Sequence, residues 1–243
     1  MEHGWGGKLI AEGIGTFALI FVGAGTILSL PSTVDPGAGR VAVALAHGLA
    51  IGVMVSALGH VSGGHFNPAV TIAAAVTRKI KADLVIPYVA TQLLGSALAA
   101  AALASVFPYW AGTNIGNTEP AGYMNFGQTI LVEAILTFFL VLVIFGTAID
   151  KKGSWSAVAG MAIGFTITLD ILVGGGLTGG AMNPARSFGP TFVAFAGGVT
   201  VTGVASGSEN LWVNHLLYWV GPVLGGVMAA GLYNGMYLRQ EKE

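Results

Sequence analysis

The chain has 243 residues, of which 54% are hydrophobic and 9% charged, whereas a soluble domain carries about a quarter charged residues. With a mean hydropathy of +0.76, this balance excludes an ordinary soluble domain and points to lipid as the solvent. The formal net charge of −1 lacks the basic footprint of a nucleic-acid binder, and the absence of cysteine excludes disulfides, thiolate chemistry and iron–sulfur clusters.

Crossing a bilayer takes roughly 20 apolar residues, and six runs of about that length follow one another. The first, 8–30, is too long for a signal-peptide core and shows no cleavage motif before Pro31-Ser32-Thr33, so it is a retained helix with Glu12 inside it. The second, 41–60, carries His47 and the pair Gly48/Gly52, at the spacing that lets helix backbones approach closely. A glycine-rich turn over Ser62 to Phe66 leads into Asn67–Thr77, which is apolar and helix-like but too short to cross, so it enters the membrane and stops midway. The basic loop with Arg78, Lys79 and Lys81 precedes the third run, 84–107. After a loop over 108–126, the fourth run, 127–149, contains Glu133, and the fifth, 155–174, contains Gly160/Gly164 and Asp170. A second glycine-rich turn, Thr178 to Met182, opens a second short segment, Asn183–Phe195; the last run, 212–236, holds Gly221/Gly225.

Halves of this pattern match each other. Ala11-Glu12 with Thr16-Phe17 recurs as Val132-Glu133 with Thr137-Phe138; Gly48 to Gly52 recurs as Gly160 to Gly164. Ser62 to Ala69 recurs as Thr178 to Ala185, and Gln92 to Gly95 as Pro222 to Gly225. The expected organisation is one membrane domain, 1–243, made of a repeat over 1–110 and a repeat over 125–243, joined by an extracellular loop at 108–126. Each copy holds three spans, an odd number, so the second inserts upside down and the two short segments meet tip to tip near the midplane. Lys8, Arg78, Lys79, Lys81, Lys151, Lys152, Arg239 and Lys242 then share one side, opposite Arg40 and Arg186, which makes the termini cytoplasmic.

Asparagine followed by proline is a strong helix start: the side-chain oxygen accepts an orphan amide, and proline lacks the amide that would be orphaned. It occurs at Asn67-Pro68-Ala69 and again at Asn183-Pro184-Ala185. With each oxygen engaged, the NH2 group of each asparagine is left to donate to whatever the tip faces. A water that accepts from both then donates only outward, which breaks the like-oriented chain that proton hopping needs, and the positive ends of two helices oppose cations at the same point. Upstream, carbonyls of Gly63, Gly64, His65, Phe66, Gly179, Ala181 and Met182 form an expected ladder of acceptors, since non-helical backbone is tolerated at this depth where it lines a cavity. Glu12 and Glu133, expensive inside a membrane unless partnered, are expected to brace these loops through their amides.

The twin NPA motifs in the contexts SGGHFNPAV and GGAMNPARSFGP, with the two membrane glutamates, resemble those of the aquaporins, the major intrinsic protein family, over essentially the whole chain. The resemblance implies an all-α fold of six transmembrane helices and two re-entrant half-helices, a homotetramer with a pore in each subunit, and no cofactor or metal. It also implies a four-residue filter at His47, Ile171, Gly180 and Arg186, a set similar to that of plant vacuolar-membrane aquaporins that pass water and ammonia. Arg186, directly after the second motif, would donate to water and repel cations, and His47 would act as a filter donor. Ser187 and Tyr218-Trp219 resemble water channels more than glycerol facilitators, although Thr191 departs from the alanine common in water channels.

Blander readings hold elsewhere. His60 and His65 lack the helical i, i+4 spacing and the further ligands of a metal site, Asp170 reads as a bracing acceptor, and the Arg78 cluster follows from topology. The expected function is passive conduction of water and small neutral solutes through a lipid-embedded protein without catalysis, with a glycerol-type facilitator or a secondary transporter as alternatives. The short termini fit a microbial plasma membrane.

Overall fold

The computed structural model describes residues 3–152, 158–199 and 210–238. Among them lie eight α-helices: α1 Trp5–Ser29, α2 Pro36–Ser62, α3 Pro68–Val76, α4 Ala82–Val106, α5 Phe126–Ile144, α6 Ala159–Gly174, α7 Pro184–Ala196 and α8 Leu211–Tyr233. Five stretches are long and apolar enough to cross a membrane: α1, α2, α4, α5 extended to Ile149, and α8 extended to Leu238. The helix α6 has 16 residues, about 24 Å of rise; residues 155–157, where its span was expected to begin, lie outside the described residues, as do Arg239 and Lys242.

Local chemistry sets the helix ends. Asp35 caps α2 by accepting from Ala38 N at 2.9 Å with Pro36 at the first helical position. The helix therefore starts before the predicted 41 and takes Arg40 into its first turns. A reciprocal capping box, Asn125 with Gln128, starts α5, and its last turn widens so that Asp150 N bonds Phe145 O at 2.8 Å. The 108–126 loop contains a tight helical segment, Trp110–Gly116, in which Asn114 and Ile115 have φ of 46° and 49°. For β-branched Ile115, fully buried, that conformation is strained.

Helices α1 and α4 pack together, as do α5 and α8, while α2 crosses α6. The α2–α6 crossing is a glycine contact: a Cβ on Gly48 would stand 2.4 Å from Gly164 O, and one on Gly164 would stand 2.4 Å from Gly48 O. The same device recurs where Gly95 meets Gly13 O and where Gly225 meets Ala134 O, at 2.5 and 1.9 Å from the added atom. Around this bundle the outward side chains are large and apolar, such as Ile86 and Leu169, whereas Glu12, Gln92, Glu133 and Arg186 are buried inside. A bundle apolar outside and polar within suits lipid contact. The short helices α3 and α7 touch each other; α3 also packs on α8 and α4, and α7 on α4 and α8.

Candidate pore and its constriction

Three cavities lie in series through the bundle. One mouth is lined by Arg40, Asn117, Thr118, Glu119, Gly179 and others, the opposite mouth by Gly63, Lys79, Lys151 and others. The central stretch shares Ile171 and Arg186 with the first mouth, and Gly64, His65, Val70, Ile144 and Ile163 with the second. The volume open to the centre of a water molecule narrows from about 350 Å³ at the arginine mouth to about 30 Å³ in the middle, then widens to about 400 Å³ at the lysine mouth.

The tips of α3 and α7 meet in the narrow stretch. Asn67 Oδ1 accepts from Ala69 N at 2.8 Å and Asn183 Oδ1 from Ala185 N at 2.9 Å, so both oxygens cap their own helices. The amide nitrogens then cross over: Asn67 Nδ2 donates to Met182 O at 2.8 Å, and Asn183 Nδ2 donates to Phe66 O at 2.9 Å. This corrects the expectation of two unengaged NH2 groups. One N–H of each amide holds the opposite loop and one remains for a ligand. The same bonds occupy part of the expected carbonyl ladder, since Phe66 O and Met182 O each give one lone pair to asparagine. Gly64, His65, Gly180, Ala181 and Met182 line the central stretch, Gly63 the lysine mouth and Gly179 the arginine mouth. The side chain of Phe66 is instead fully buried over Gly15, where an added Cβ would come within 2.2 Å of its ring.

Both loops adopt left-handed backbone just before their asparagines, with φ of 48° at Phe66 and 52° at Met182. Non-glycine residues hold such angles only where their surroundings over-determine them, and the glutamates supply this constraint. Glu12 accepts from Ser62 Oγ at 2.7 Å, His65 N at 3.0 Å, Phe66 N at 2.7 Å and Gln92 Nε2 at 2.8 Å. Glu133 accepts from Thr178 Oγ1 at 2.6 Å, Ala181 N at 3.0 Å and Met182 N at 2.7 Å. Two tyrosines complete the pattern: Tyr88 donates to Ser62 O and Tyr218 to Thr178 O, each at 2.7 Å. The role of this pair escaped the sequence reading, although Tyr88 precedes Gln92 and Tyr218 precedes Pro222 by the same interval in the two halves.

Toward the arginine mouth, His47, Ile171, Gly180 and Arg186 line one short stretch. A Cβ on Gly180 would meet Ile171 Cγ1 at 3.4 Å, and Arg186 Nη1 donates to Gly116 O at 2.8 Å. His47 Nδ1 lies 2.8 Å from Val43 O, which only accepts, so that nitrogen carries the proton. In the neutral ring Nε2 is then an acceptor, and it is buried without a protein partner. The expected filter donor is thus an acceptor. Gly23 makes room for the ring, because a Cβ there would meet Nε2 at 2.4 Å; no sequence signal distinguished this glycine. At the same mouth, Asn114 Nδ2 donates to Glu119 Oε1, while burial pushes the Glu119 carboxyl above the usual carboxylate range. Among the described residues, no three His, Cys, Asp or Glu side chains are grouped to hold a metal ion.

The family model described as "Major intrinsic protein" matches residues 3–233. The chain belongs to that family. Membership of that family points to a membrane channel rather than an enzyme. Among its relatives, "Aquaporin TIP4-4" of Zea mays is 38% identical over 96% of this chain and 87% of its own length. "Probable aquaporin TIP3-2" of Arabidopsis thaliana is 40% identical, over 96% and 85%. Human "Aquaporin-4" is 39% identical over 90% of this chain and 64% of its own length. The fold matches the aquaglyceroporin of Plasmodium falciparum with a TM-score of 0.84 at 23% identity, covering 98% of this chain and 99% of the other. These relatives support the water-channel branch and a multi-pass membrane protein. The expectation of a microbial plasma membrane finds no support in them.

Proposed function

We propose that this major intrinsic protein passively conducts water, with ammonia and other small neutral solutes, while excluding protons and ions. The observation that carries this reading is the meeting of the Asn67 and Asn183 amides in the narrow central stretch. Each retains one N–H to offer a solute, and the walls beside them, including Leu19, Val70, Leu140 and Ile167, are apolar. A water passing this point gives up neighbours it can regain only from two fixed donors and a file of other waters. A hydrated cation faces the positive ends of two helices and, further on, the Arg186 guanidinium.

His47, Ile171, Gly180 and Arg186 act in this reading as the filter, and the carbonyls upstream of each asparagine as acceptors. An apolar Ile171 beside a glycine leaves room for solutes wider than water, the observation that favours a second reading as a glycerol-type facilitator. The two matched sets of bonds around Glu12 and Glu133 support two inverted repeats, 1–110 and 125–243. The large apolar side chains outside support lipid contact and, in keeping with the family resemblance, a homotetramer. Lys79 and Lys151 at the lysine mouth support a cytoplasmic orientation for that side.

Stopped-flow light scattering on proteoliposomes, with a trapped dye reporting internal pH, tests the proposal. Rapid osmotic shrinkage without proton entry is expected. Shrinkage no faster than in empty liposomes would overturn it, and rapid reswelling in glycerol would favour the second reading.

A further inference from the structure

Behind the constriction, on the side of α7 away from the pore, His215 on α8 lies between Trp219 and Ser187. It is 5% exposed. Trp219 Nε1 is 2.9 Å from His215 Nε2, and His215 Nδ1 is 2.9 Å from Ser187 Oγ. Ser187 Oγ in turn donates to Pro184 O at 3.1 Å. The direction of every bond follows from chemistry. The indole N–H only donates, so His215 Nε2 must present its lone pair. A neutral ring then carries its proton on Nδ1 and donates it to Ser187, whose own hydroxyl hydrogen goes to the Pro184 carbonyl. Phe188, Trp212 and Trp219 surround the imidazole at ring-centre distances of 5.8, 5.7 and 6.4 Å.

The far end of this chain is the first turn of α7, which carries both Asn183 and Arg186. From the opposite side Ser96 on α4 donates to Ala185 O and accepts from Gly189 N. The turn is thus held between two helices, with one attachment through each. The other half-helix is held differently: its hydroxyl at the matching position, Thr71, meets His65 Nδ1 from its own loop and Gln92 Nε2 from α4. Only on the α7 side does the attachment run through a histidine of a separate spanning helix.

We propose that His215 is a positioning residue for the constriction: locked as the Nδ1–H tautomer by Trp219, it passes a directed chain of hydrogen bonds to the turn that holds Asn183 and Arg186. The inference rests on the reading of Arg186 as part of the filter. It assigns Ser187, Trp219 and His215 a joint role in solute discrimination, although none of them lines the central stretch.

Solid-state ¹⁵N NMR of histidine-labelled protein in liposomes, with His215 assigned by comparison with His215→Phe, reads the tautomer directly. Protonated Nδ1 and unprotonated Nε2 are expected in the wild type, with Nε2–H appearing in Trp219→Phe. In stopped-flow assays Trp219→Phe and Ser187→Ala should raise the ratio of glycerol to water permeability by about fivefold, the scale of one lost hydrogen bond. Trp219→Phe keeps most of the ring volume, so it serves where His215→Phe does not fold. An Nε2–H wild type, or folded Trp219→Phe and Ser187→Ala variants with the wild-type ratio, would overturn the proposal alone. Absence of water flux in the wild type would overturn the pore reading and the proposal with it.

Discussion

Asn67 holds the carbonyl of Met182, the residue directly before Asn183, and Asn183 holds the carbonyl of Phe66, directly before Asn67. Each half-helix tip is therefore tied to the loop that shapes the other. Asn67→Asp keeps the size of the side chain but turns a donor into an acceptor facing Met182 O. A loss of about 3 kcal/mol or more is expected, because a buried carbonyl is left unpaired beside a buried charge. Thermal unfolding in detergent measures it, and Asn183→Asp should cost a similar amount. A wild-type melting temperature in both would sink the crossed arrangement.

The glutamates give a second test. Glu12 takes four hydrogen bonds and Glu133 three, all from donors. In Glu12→Gln or Glu133→Gln one acceptor oxygen becomes an NH2 facing N–H or O–H groups. Each charge-assisted bond lost is worth about 1.5–3 kcal/mol, so both variants should melt earlier and lose water permeability as the strained loops relax. Unchanged flux from folded variants would show that the loops hold their shape unaided.

Glycine substitutions separate close approach from composition. Gly225→Ala puts a methyl 1.9 Å from Ala134 O, whereas Gly231→Ala meets nothing within 4 Å. The first should destabilise by about 1–3 kcal/mol, the usual scale of overpacking. The second should be neutral or slightly stabilising, since alanine is the better helix former. Equal melting temperatures for the two would refute the packing account of the α5–α8 contact.

Arg186→Ala removes the bond to Gly116 O and the fixed cation of the constriction. If the guanidinium contributes ~1.4 kcal/mol to the barrier, proton and cation leak should rise about tenfold with water flux preserved. Dye-loaded proteoliposomes report both quantities together, and an unaltered leak would assign ion exclusion to the helix tips alone.

Glu119 predicts a pH response of stability. Its carboxyl is raised above the ordinary range by burial, which outweighs the Asn114 hydrogen bond. The folded state therefore holds this proton more tightly than the unfolded chain does. Its contribution to stability is greatest at and below the ordinary carboxylate pKa and is lost as pH rises through the raised value. Melting temperature followed from about pH 4 to pH 7 should show this component in the wild type. Glu119→Gln, which can still accept from Asn114, should abolish it and melt higher at neutral pH. An identical profile in the variant would exclude Glu119 as the source.

Much of the fold was readable because lipid imposes long apolar runs and Asn-Pro marks helix starts independently of tertiary context. Asn67 and Asn183 were found that way, and Glu12 and Glu133 because a carboxylate at membrane depth requires donors. The early start of α2 was missed because hydropathy fades at Arg40, although the Asp35-Pro36 cap was present in the chain. The crossed amide bonds join residues more than a hundred positions apart, a distance that no local pattern encodes. Gly23 and Gly15 act only by leaving space for His47 and Phe66, and an absent side chain carries no signature. The acceptor role of His47 depends on the carbonyl of Val43 one helical turn away, a geometric fact rather than a compositional one. His215 carries no signal of its role in the chain: Trp219 stands one turn away on the same helix, but Ser187 reaches the ring only when α7 docks on α8.

The crossed bonds also bear on how the protein is made. Asn67 waits for a carbonyl 115 residues downstream, and at about 5–20 residues per second a ribosome needs roughly 6–23 s to deliver it. During that interval Asn67 lacks the carbonyl it holds in the finished fold, so the first half-helix tip is completed only by the second half of the chain.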